Sequence, residues 1–196
     1  MEIAIVKYNA GNIQSVLFAL ERIGVSATVT DDPQKIQQAE KVIFPGVGEA
    51  STAMQYLRER GLDALIKNLQ QPVLGICLGM QLMCSHSEEN NTECMNIFDV
   101  PVKRFVSTDA AVKIPQIGWN NIYDLKTKLF NGVNDNSFIY LVHSYYAELC
   151  HETIATCHYT RPYSAGLKKD NFYGVQFHPE KSAGVGETIL KNFIGL

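Results

Sequence analysis

A cysteine with a glycine two positions away on each side is the first feature of this chain that could do chemistry. The segment 75–79 reads Gly-Ile-Cys-Leu-Gly and follows an apolar run, so it predicts a sharp strand-to-helix turn with Cys77 at its tip. Such a turn projects the thiol from the carboxyl edge of a sheet, and the N-terminus of the following helix favours the thiolate. We therefore predict that Cys77 is a nucleophile and that the Leu78 amide stabilises an oxyanion. A buried structural cysteine between two packing glycines is the alternative.

A nucleophilic thiol needs a base, and the segment 177–180, Phe-His-Pro-Glu, offers one. His178 and Glu180 are two residues apart, so in an extended backbone both side chains would leave the same face. A carboxylate bonded to one ring nitrogen would orient the imidazole and leave its other nitrogen for Cys77. A histidine turn with no catalytic role is the alternative.

A second oxyanion donor is predicted in the loop 45–48, Pro-Gly-Val-Gly. Its two glycines make the loop flexible enough to turn an amide, that of Val47, toward a developing negative charge. The alternative is an ordinary turn between a strand and a helix.

The other four cysteines have no comparable setting, and we predict that they are structural. They are Cys84, Cys94, Cys150 and Cys157. Cys150-His151 and Cys157-His158 resemble metal ligands, but no Cys-x-x-Cys accompanies them, so no metal site is predicted. An odd number of scattered cysteines fits a reducing compartment, and we predict the cytoplasm.

The elements that must position these residues alternate between strand and helix in the first half of the chain. Apolar runs without polar alternation predict buried parallel strands, and residues 13, 16, 17, 20 and 23 form the apolar stripe of a helix that Asn12 could cap and Gly24 could end. A helical region over 49–69 is interrupted at Gly61. From about residue 100, short runs separated by Gly, Pro, Asn and Asp predict a β-rich, partly antiparallel half. The expected fold is one α/β domain over residues 1–196, with a central, mostly parallel sheet flanked by helices.

Composition excludes several classes of protein. The 196 residues are 46% hydrophobic and 19% charged with a net charge of −3, which is typical of a globular domain. Such a balance gives no electrostatic signature for nucleic acid or for an anionic membrane. The sequence contains no run of about 18 apolar residues that would span a bilayer and no signal peptide.

Taken together, the motifs resemble the triad (class I) glutamine amidotransferase family. The resemblance rests on Leu-Gly-Ile-Cys-Leu-Gly-Met-Gln-Leu at 74–82 and on Phe-His-Pro-Glu at 177–180. Within the family, the segments 8–12, 45–48, 118–120, 142–145 and 174–182 are similar to those of the glutaminase subunits of imidazole glycerol phosphate synthases. The resemblance runs from the first strand to the last helix. It implies hydrolysis of glutamine to glutamate and ammonia, no cofactor, and a (β/α)8-barrel cyclase partner that uses the ammonia in histidine biosynthesis.

The resemblance also implies roles for individual residues. Cys77 would form a thioester, His178 would transfer the proton, Glu180 would orient His178, and the amides of Val47 and Leu78 would form the oxyanion hole. The implied glutamine-binding residues are Gly46, Gln81, Glu89, His143, Ser144 and Tyr145, with Glu89 on the α-amino group. The residues implied to face the partner are Asn12, Trp119, Tyr140 and Lys181. For Trp119 and Tyr140, ordinary core packing is the alternative.

One departure from the family pattern leaves other functions open. The family commonly has Pro-His-Met before Gly-Trp-Asn, whereas here residues 115–117 are Pro-Gln-Ile. A glutaminase that serves a different acceptor is therefore an alternative. A non-catalytic regulatory subunit is disfavoured by the intact Cys77, His178 and Glu180, and a cysteine peptidase is disfavoured by the His-Pro-Glu run.

Overall fold

The computed structural model describes residues 1–9, 11–109 and 111–196. Within these residues the strands belong to one 13-stranded sheet. In chain order the strands are β1 Ile3–Val6, β2 Thr28–Thr30, β3 Lys41–Gly46, β4 Val73–Cys77, β5 His86–Ser87, β6 Thr92–Glu93, β7 Pro101–Arg104, β8 Gln116–Tyr123, β9 Ser137–His143, β10 Tyr145–Ala147, β11 Thr153–Tyr159, β12 Arg161–Lys169 and β13 Phe172–Val175. The α-helices are α1 Ile13–Arg22, α2 Pro33–Gln38, α3 Ala50–Glu59, α4 Leu62–Lys67, α5 Leu78–Met83 and α6 Ala183–Ile194.

The parallel half of the sheet has the strand order β2-β1-β3-β4-β13. Every residue of β1, β3, β4 and β13 is buried, as expected for parallel strands covered on both faces. Two apolar clusters lie on the two sides, one including α3, α4 and α5 and the other including α1 and α6. This arrangement confirms the predicted α/β fold with helices flanking a mostly parallel sheet.

The helix boundaries follow local sequence signals. Helix α1 buries Val16, Ala19 and Leu20 and ends just before Gly24, whose φ of 78° only glycine adopts readily. Gly61 has a φ of 66° and separates α3 from α4, as predicted. The prediction that the Asn12 side chain caps α1 is wrong, because this side chain makes no capping hydrogen bond and is directed elsewhere.

The second half of the chain is β-rich and antiparallel, as predicted, but sequence patterning missed two of its longest strands. Strand β8 carries Gly118 in its interior, and β12 carries Pro162 and Gly166, so both resemble loops when judged locally. In the structure β8 pairs with β9 over seven residues, and β12 pairs with β10, β11 and β13. Cross-strand pairing stabilises these segments where their own propensity does not.

Strand β4 passes into helix α5 without a loop, because Cys77 is the last residue of the strand and Leu78 the first of the helix. The two flanking glycines allow this close junction. A Cβ on Gly79 would lie 1.8 Å from the carbonyl oxygen of Phe44, and one on Gly75 would lie 2.3 Å from the Met83 side chain. The helix therefore packs directly on β3 and β4, and the carboxyl ends of β3, β4 and β13 meet at one edge of the sheet.

Candidate active site

Cys77 sits at the predicted turn and has a strained backbone, with φ 54° and ψ −110°. Positive φ is costly for a non-glycine residue and is concentrated at functional positions. Its Sγ lies 3.8 Å from the carbonyl oxygen of Val142 and 3.7 Å from the side-chain nitrogen of Gln176. The thiol is nearly buried but borders a cavity, so the turn presents it to a ligand of small size.

His178 and Glu180 form a buried ion pair, with Nδ1 of the ring 2.7 Å from Oε1 of the carboxylate. The predicted pairing is present, but its predicted extended geometry is wrong. His178 is extended, whereas Pro179–Lys181 is a turn of 3-10 helix that swings Glu180 back beside the ring. Since Nδ1 is bonded to Glu180, Nε2 is left for the hydrogen bond with Cys77.

The protonation of His178 follows from these contacts. Burial of the ring by itself lowers the pKa, but the hydrogen bonds and charges of Cys77 and Glu180 outweigh burial and raise the pKa of His178 to about 10. The structure therefore favours an imidazolium at His178 near neutral pH. A protonated imidazole hydrogen-bonded to a cysteine can act as a proton donor beside a potential nucleophile.

Asn12 lies against the carboxylate of Glu180. Its side-chain amide donates to Oε1 of Glu180 at 3.3 Å, and its oxygen accepts from the Ser15 hydroxyl at 2.6 Å. Arg22 donates to the backbone carbonyl of Glu180 at 3.3 Å. Helix α1 and the preceding Asn12 thus hold the turn that carries His178 and Glu180. The sequence predicted only that Asn12 faces the partner and did not predict this contact.

A cavity of about 320 Å³ opens beside Cys77 and brings most of the predicted site residues together. Its lining includes the predicted residues Val47, Cys77, Leu78, Gln81, Glu89, His143, Ser144, Tyr145, His178 and Lys181. Gly46 is not part of the lining. It is buried in β3 as the register partner of Cys77, and the Tyr8 hydroxyl occupies the space where a Gly46 side chain would stand.

Glu89 forms the acidic wall of the cavity. Its Oε2 accepts the amide of Ala50 at 2.8 Å. Burial and the nearby charge of Glu49 raise the pKa of Glu89, although the Ala50 hydrogen bond opposes them. Glu49 itself has a pKa of about 2, held low by hydrogen bonds to Ser51, Asn90 and Thr52. The Glu89 carboxylate lines the cavity and suits a cationic group of a ligand.

His143 and Gln116 form a buried polar pair beneath the strand that lines the cavity. Nδ1 of His143 lies 2.7 Å from the Tyr145 carbonyl, which can only accept, so this nitrogen carries the proton. Nε2 lies 3.3 Å from the Tyr163 hydroxyl, which can donate to it, and 3.0 Å from the side-chain oxygen Oε1 of Gln116. Gln116, the residue that departs from the family pattern, therefore supports the cavity wall and does not project into the cavity.

The buried state of His143 predicts a loss of stability in acid. Burial lowers its pKa to about 4, with the charge of His178 adding to the effect and the Tyr145 hydrogen bond opposing it. The unfolded histidine binds a proton near pH 6.5, so the free energy of unfolding should fall between about pH 6.5 and 4, by on the order of 3 kcal/mol from this residue. Urea titrations at several pH values in this range give the free energy of unfolding. The slope of this free energy against pH should be shallower for His143→Asn than for the wild type. His158→Asn, at an exposed histidine, should keep the wild-type slope, and equal slopes for all three proteins would contradict the assignment.

Trp119 and Tyr140 lie outside the cavity on the outer face of the β8–β9 hairpin. They are cross-strand partners, and their rings are 5.8 Å apart. Trp119 is 53% exposed, so the alternative of core packing is wrong for this residue. Lys181 is exposed near the same face, with its Nζ 5.9 Å from the Tyr140 ring.

Sequence reasoning missed Gln176, although it lies inside the motif that contains His178. The residue is fully buried and touches Cys77, whereas local patterning indicates only a polar residue at the end of a strand. This contact depends on the register of β13 against β4. The register places Val175 opposite Ile76 and so brings the next residues, Gln176 and Cys77, together.

Among residues 1–9, 11–109 and 111–196, no group of three His, Cys, Asp or Glu residues could hold a metal ion. All five cysteines are free thiols. In the same part of the chain, no helix combines the length and the apolar character needed to cross a bilayer.

Comparison with known proteins places this geometry in a family. The model of the family described as "Glutamine amidotransferase class-I" matches residues 4–195. The chain belongs to this family. A relative from Bacteroides thetaiotaomicron, imidazole glycerol phosphate synthase subunit HisH, is 58% identical over the whole of both chains. The subunit of the same name from Escherichia coli K12 is 44% identical over 99% of each. A crystal structure of a glutamine amidotransferase superposes with a TM-score of 0.74 at 15% identity, over 98% of this chain and 97% of the other, and shows the shared fold.

Membership in the family makes the chain a glutamine amidotransferase, a glutaminase that hydrolyses an amide. The match to the Bacteroides thetaiotaomicron subunit covers the whole chain, including residues 115–117, so the Gln116-Ile117 departure does not prevent a full-length match to a HisH subunit.

Proposed function

We propose that this chain is the glutaminase subunit of an imidazole glycerol phosphate synthase in the cytoplasm and that Cys77, His178 and Glu180 perform its chemistry. The observation that supports this proposal most strongly is geometric. Cys77 and His178 line one cavity of about 320 Å³, a size suited to one amino acid, and Glu180 lies behind His178 with its Oε1 2.7 Å from Nδ1 of the ring. The product ammonia would be used by a (β/α)8-barrel cyclase partner in histidine biosynthesis.

The chemical steps follow from the protonation of the pair. The thiolate of Cys77 attacks the side-chain amide carbon of glutamine, and the negative charge moves to the amide oxygen. We assign its stabilisation to the amides of Leu78 and Val47, which border the cavity. The imidazolium of His178 donates its Nε2 proton to the departing nitrogen, which leaves as ammonia. A water molecule, deprotonated by the same nitrogen, then cleaves the thioester to glutamate and free thiol.

Two side chains of the lining can recognise the amino acid. Both hydrogens of the Gln81 amide are used inside the protein, by the Tyr145 carbonyl and by Gln176, each at 2.9 Å. Its Oε1 therefore remains to accept a hydrogen bond, and the ammonium of glutamine is a suitable donor. Glu89 supplies the opposite charge, and the backbone of His143–Tyr145 lines the other side of the cavity.

Glu89→Gln should weaken substrate binding with little effect on chemistry. The variant retains size but removes the negative charge, so we expect KM for glutamine to rise by about tenfold or more, with kcat nearly unchanged. Steady-state measurement of glutamate release gives both constants. Glu88→Gln is the matched control, since the neighbouring Glu88 bonds Arg104 outside the cavity and should leave KM as it is. An unchanged KM in Glu89→Gln would remove Glu89 from the site.

The surface that suits a protein partner is the outer face of β8 and β9. The register of β8 and β9 pairs Ile117 with Val142 and Trp119 with Tyr140. Phe138 lies two residues before Tyr140 and is on the same face. Ile117, Trp119 and Phe138 are more than half exposed, and Val142 is about one-third exposed. Exposed apolar clusters rimmed by charge are typical of protein interfaces. Val142 also lines the cavity, so a partner docked here would lie next to the place where ammonia is released.

Lys181→Glu should weaken the complex with the cyclase. Lys181 combines exposure, a position at the cavity mouth and proximity to Tyr140, so charge reversal should raise Kd by about tenfold. Titration calorimetry measures this change. Lys67→Glu, at an exposed lysine at the end of α4, is the control and should leave Kd unaltered. Equal affinity for both variants would exclude Lys181 from the interface.

A coupled assay tests the function as a whole. Glutamate release is measured with the chain alone, then with the cyclase, then with the cyclase and its ribonucleotide ligand. Stimulation that requires both additions supports the proposal. A rate that the cyclase and its ligand leave unchanged would instead favour a glutaminase that serves another acceptor.

A further inference from the structure

The side chain of Gln176 lies between the nucleophile and the cavity wall. Its Nε2 is 3.7 Å from Sγ of Cys77, and its Oε1 accepts from Nε2 of Gln81 at 2.9 Å. Gln176 is fully buried, and Gln81 is nearly so. Buried amides of this kind are costly unless their hydrogen bonds are made, so their arrangement is specified by the surroundings.

The direction of these hydrogen bonds is set by a backbone group. The carbonyl of Tyr145 can only accept, so the atom of Gln81 that lies 2.9 Å from it is the nitrogen. The second hydrogen of that nitrogen meets Gln176, which must therefore present its oxygen. The remaining atom of the Gln176 amide is its nitrogen, and this donor faces Cys77.

We propose that Gln176 is a catalytic residue that donates a hydrogen bond to the Cys77 thiolate, and that Gln81 and Gln176 form an amide relay between the glutamine-binding wall and the nucleophile. The proposal rests on the proposed glutaminase function and extends it to a residue outside the Cys-His-Glu triad. The neutral thiol can donate to the Val142 carbonyl, but the thiolate only accepts. A buried N–H donor at Sγ therefore favours the thiolate, and the aligned amides polarise each other.

The relay also explains how binding of the substrate at Gln81 affects the hydrogen bond to Cys77. Oε1 of Gln81 is free for the ammonium of glutamine, while its nitrogen is committed to Gln176. A charged donor on that oxygen would draw electron density through the Gln81 amide and make its N–H a stronger donor to Gln176. Gln176 would in turn donate more strongly to Cys77. Correct substrate thus strengthens the stabilisation of the thiolate.

Other titratable groups near Cys77 do not take this role. The Tyr163 hydroxyl donates to Oε1 of Gln116 at 3.0 Å, and the buried Tyr8 hydroxyl makes no hydrogen bond, so neither donates to Sγ. His178 carries the positive charge with Glu180 behind it, and His143 is neutral above about pH 4. The amide of Gln176 is the neutral donor that approaches Sγ from β13.

Alkylation of Cys77 tests the proposal without any glutamine. The free subunit is treated with iodoacetamide from pH 5 to 10, and modification of the peptide that contains Cys77 is followed by mass spectrometry. In Gln176→Met, which retains volume but lacks the donor, we expect alkylation at pH 7 to slow by about tenfold and the pH–rate profile to move to higher pH. Gln81→Met should act in the same direction by a smaller factor, about threefold, since it removes only the polarising link.

Two further variants control for folding. Gln71→Met removes a partly buried side-chain amide hydrogen bond, from Gln71 to the Ile36 carbonyl, outside the cavity, and should leave the alkylation profile unchanged. Gln176→Glu keeps the shape but places a carboxyl oxygen at the position of the donor, and should slow alkylation at least as much as Gln176→Met. A wild-type profile in either folded Gln176 variant overturns the relay. It would leave the glutaminase assignment intact, since that assignment depends on Cys77 and on glutamate release.

Discussion

Cys77→Ala is expected to lower glutaminase activity by at least about 10⁴-fold, to the background rate. The substitution removes the sulfur that forms the thioester, and the remaining residues of the cavity can only bind and polarise the substrate. Alanine keeps the Cβ and imposes no new demand on the φ of 54°, so the turn should keep its shape. Glutamate release, measured alone and with the cyclase and its ligand, gives the result.

Two measurements accompany this variant. Its thermal unfolding and its affinity for the cyclase should match those of the wild type, because Cys77 is nearly buried at the carboxyl edge of the sheet and its thiol is not part of the exposed surface of β8 and β9. Cys94→Ala is the control for loss of a thiol, since Cys94 is half-buried and lies outside the cavity. If Cys77→Ala retained substantial glutaminase activity, the proposed thioester mechanism would be wrong.

Gly79→Ala is expected to destabilise the fold by more than about 4 kcal/mol, or to prevent it, although only one methyl group is added. The new Cβ would lie 1.8 Å from the Phe44 carbonyl oxygen, and both groups belong to backbone that cannot move independently. Relief of this contact requires α5 to separate from β3, which would also displace Cys77. Soluble yield and urea unfolding measure the effect.

The same substitution elsewhere provides the control. Gly184 in α6 has open space around its Cα, and Gly184→Ala should stay within about 1 kcal/mol of the wild type because alanine is the better helix former. A Gly79→Ala protein as stable as Gly184→Ala would mean that α5 does not pack on β3 as described. The glycines at this turn therefore serve close packing of α5 on β3 and β4.

The irregular segment that carries His178 and Glu180 is hydrogen-bonded to strand β9. His178 and Glu180 are joined through a 3-10 turn whose residues are tied to neighbouring elements. Ser182 donates to the His178 carbonyl at 2.6 Å and accepts the Tyr140 amide at 3.0 Å, while the His178 amide donates to the Tyr140 carbonyl at 2.9 Å. Strand β9 thus connects the exposed aromatic face to the backbone of the base. A partner bound to that face would contact the same strand that holds His178 in position.

The sequence by itself determined the elements whose signals are local. The glycine spacing around Cys77 specified a strand-to-helix turn, the apolar runs specified buried parallel strands, and Gly24 and Gly61 specified helix ends, because each signal depends on neighbours within a few residues. The His178–Glu180 pair was also predicted, though for an extended backbone that the 3-10 turn replaces. The motifs further indicated the family, which the full-length matches confirm.

Tertiary structure decided what depends on register and on pairing between distant segments. Strands β8 and β12 contain glycine and proline and become strands only because partners pair with them. Asn12 reaches Glu180 across 168 residues, and Gln176 reaches Cys77 across 99. Exposure of Trp119 likewise follows from which face of the β8–β9 hairpin meets the core. Such contacts arise from the register of β13 on β4 and the packing of α1 on the catalytic turn, and no local pattern encodes either of them.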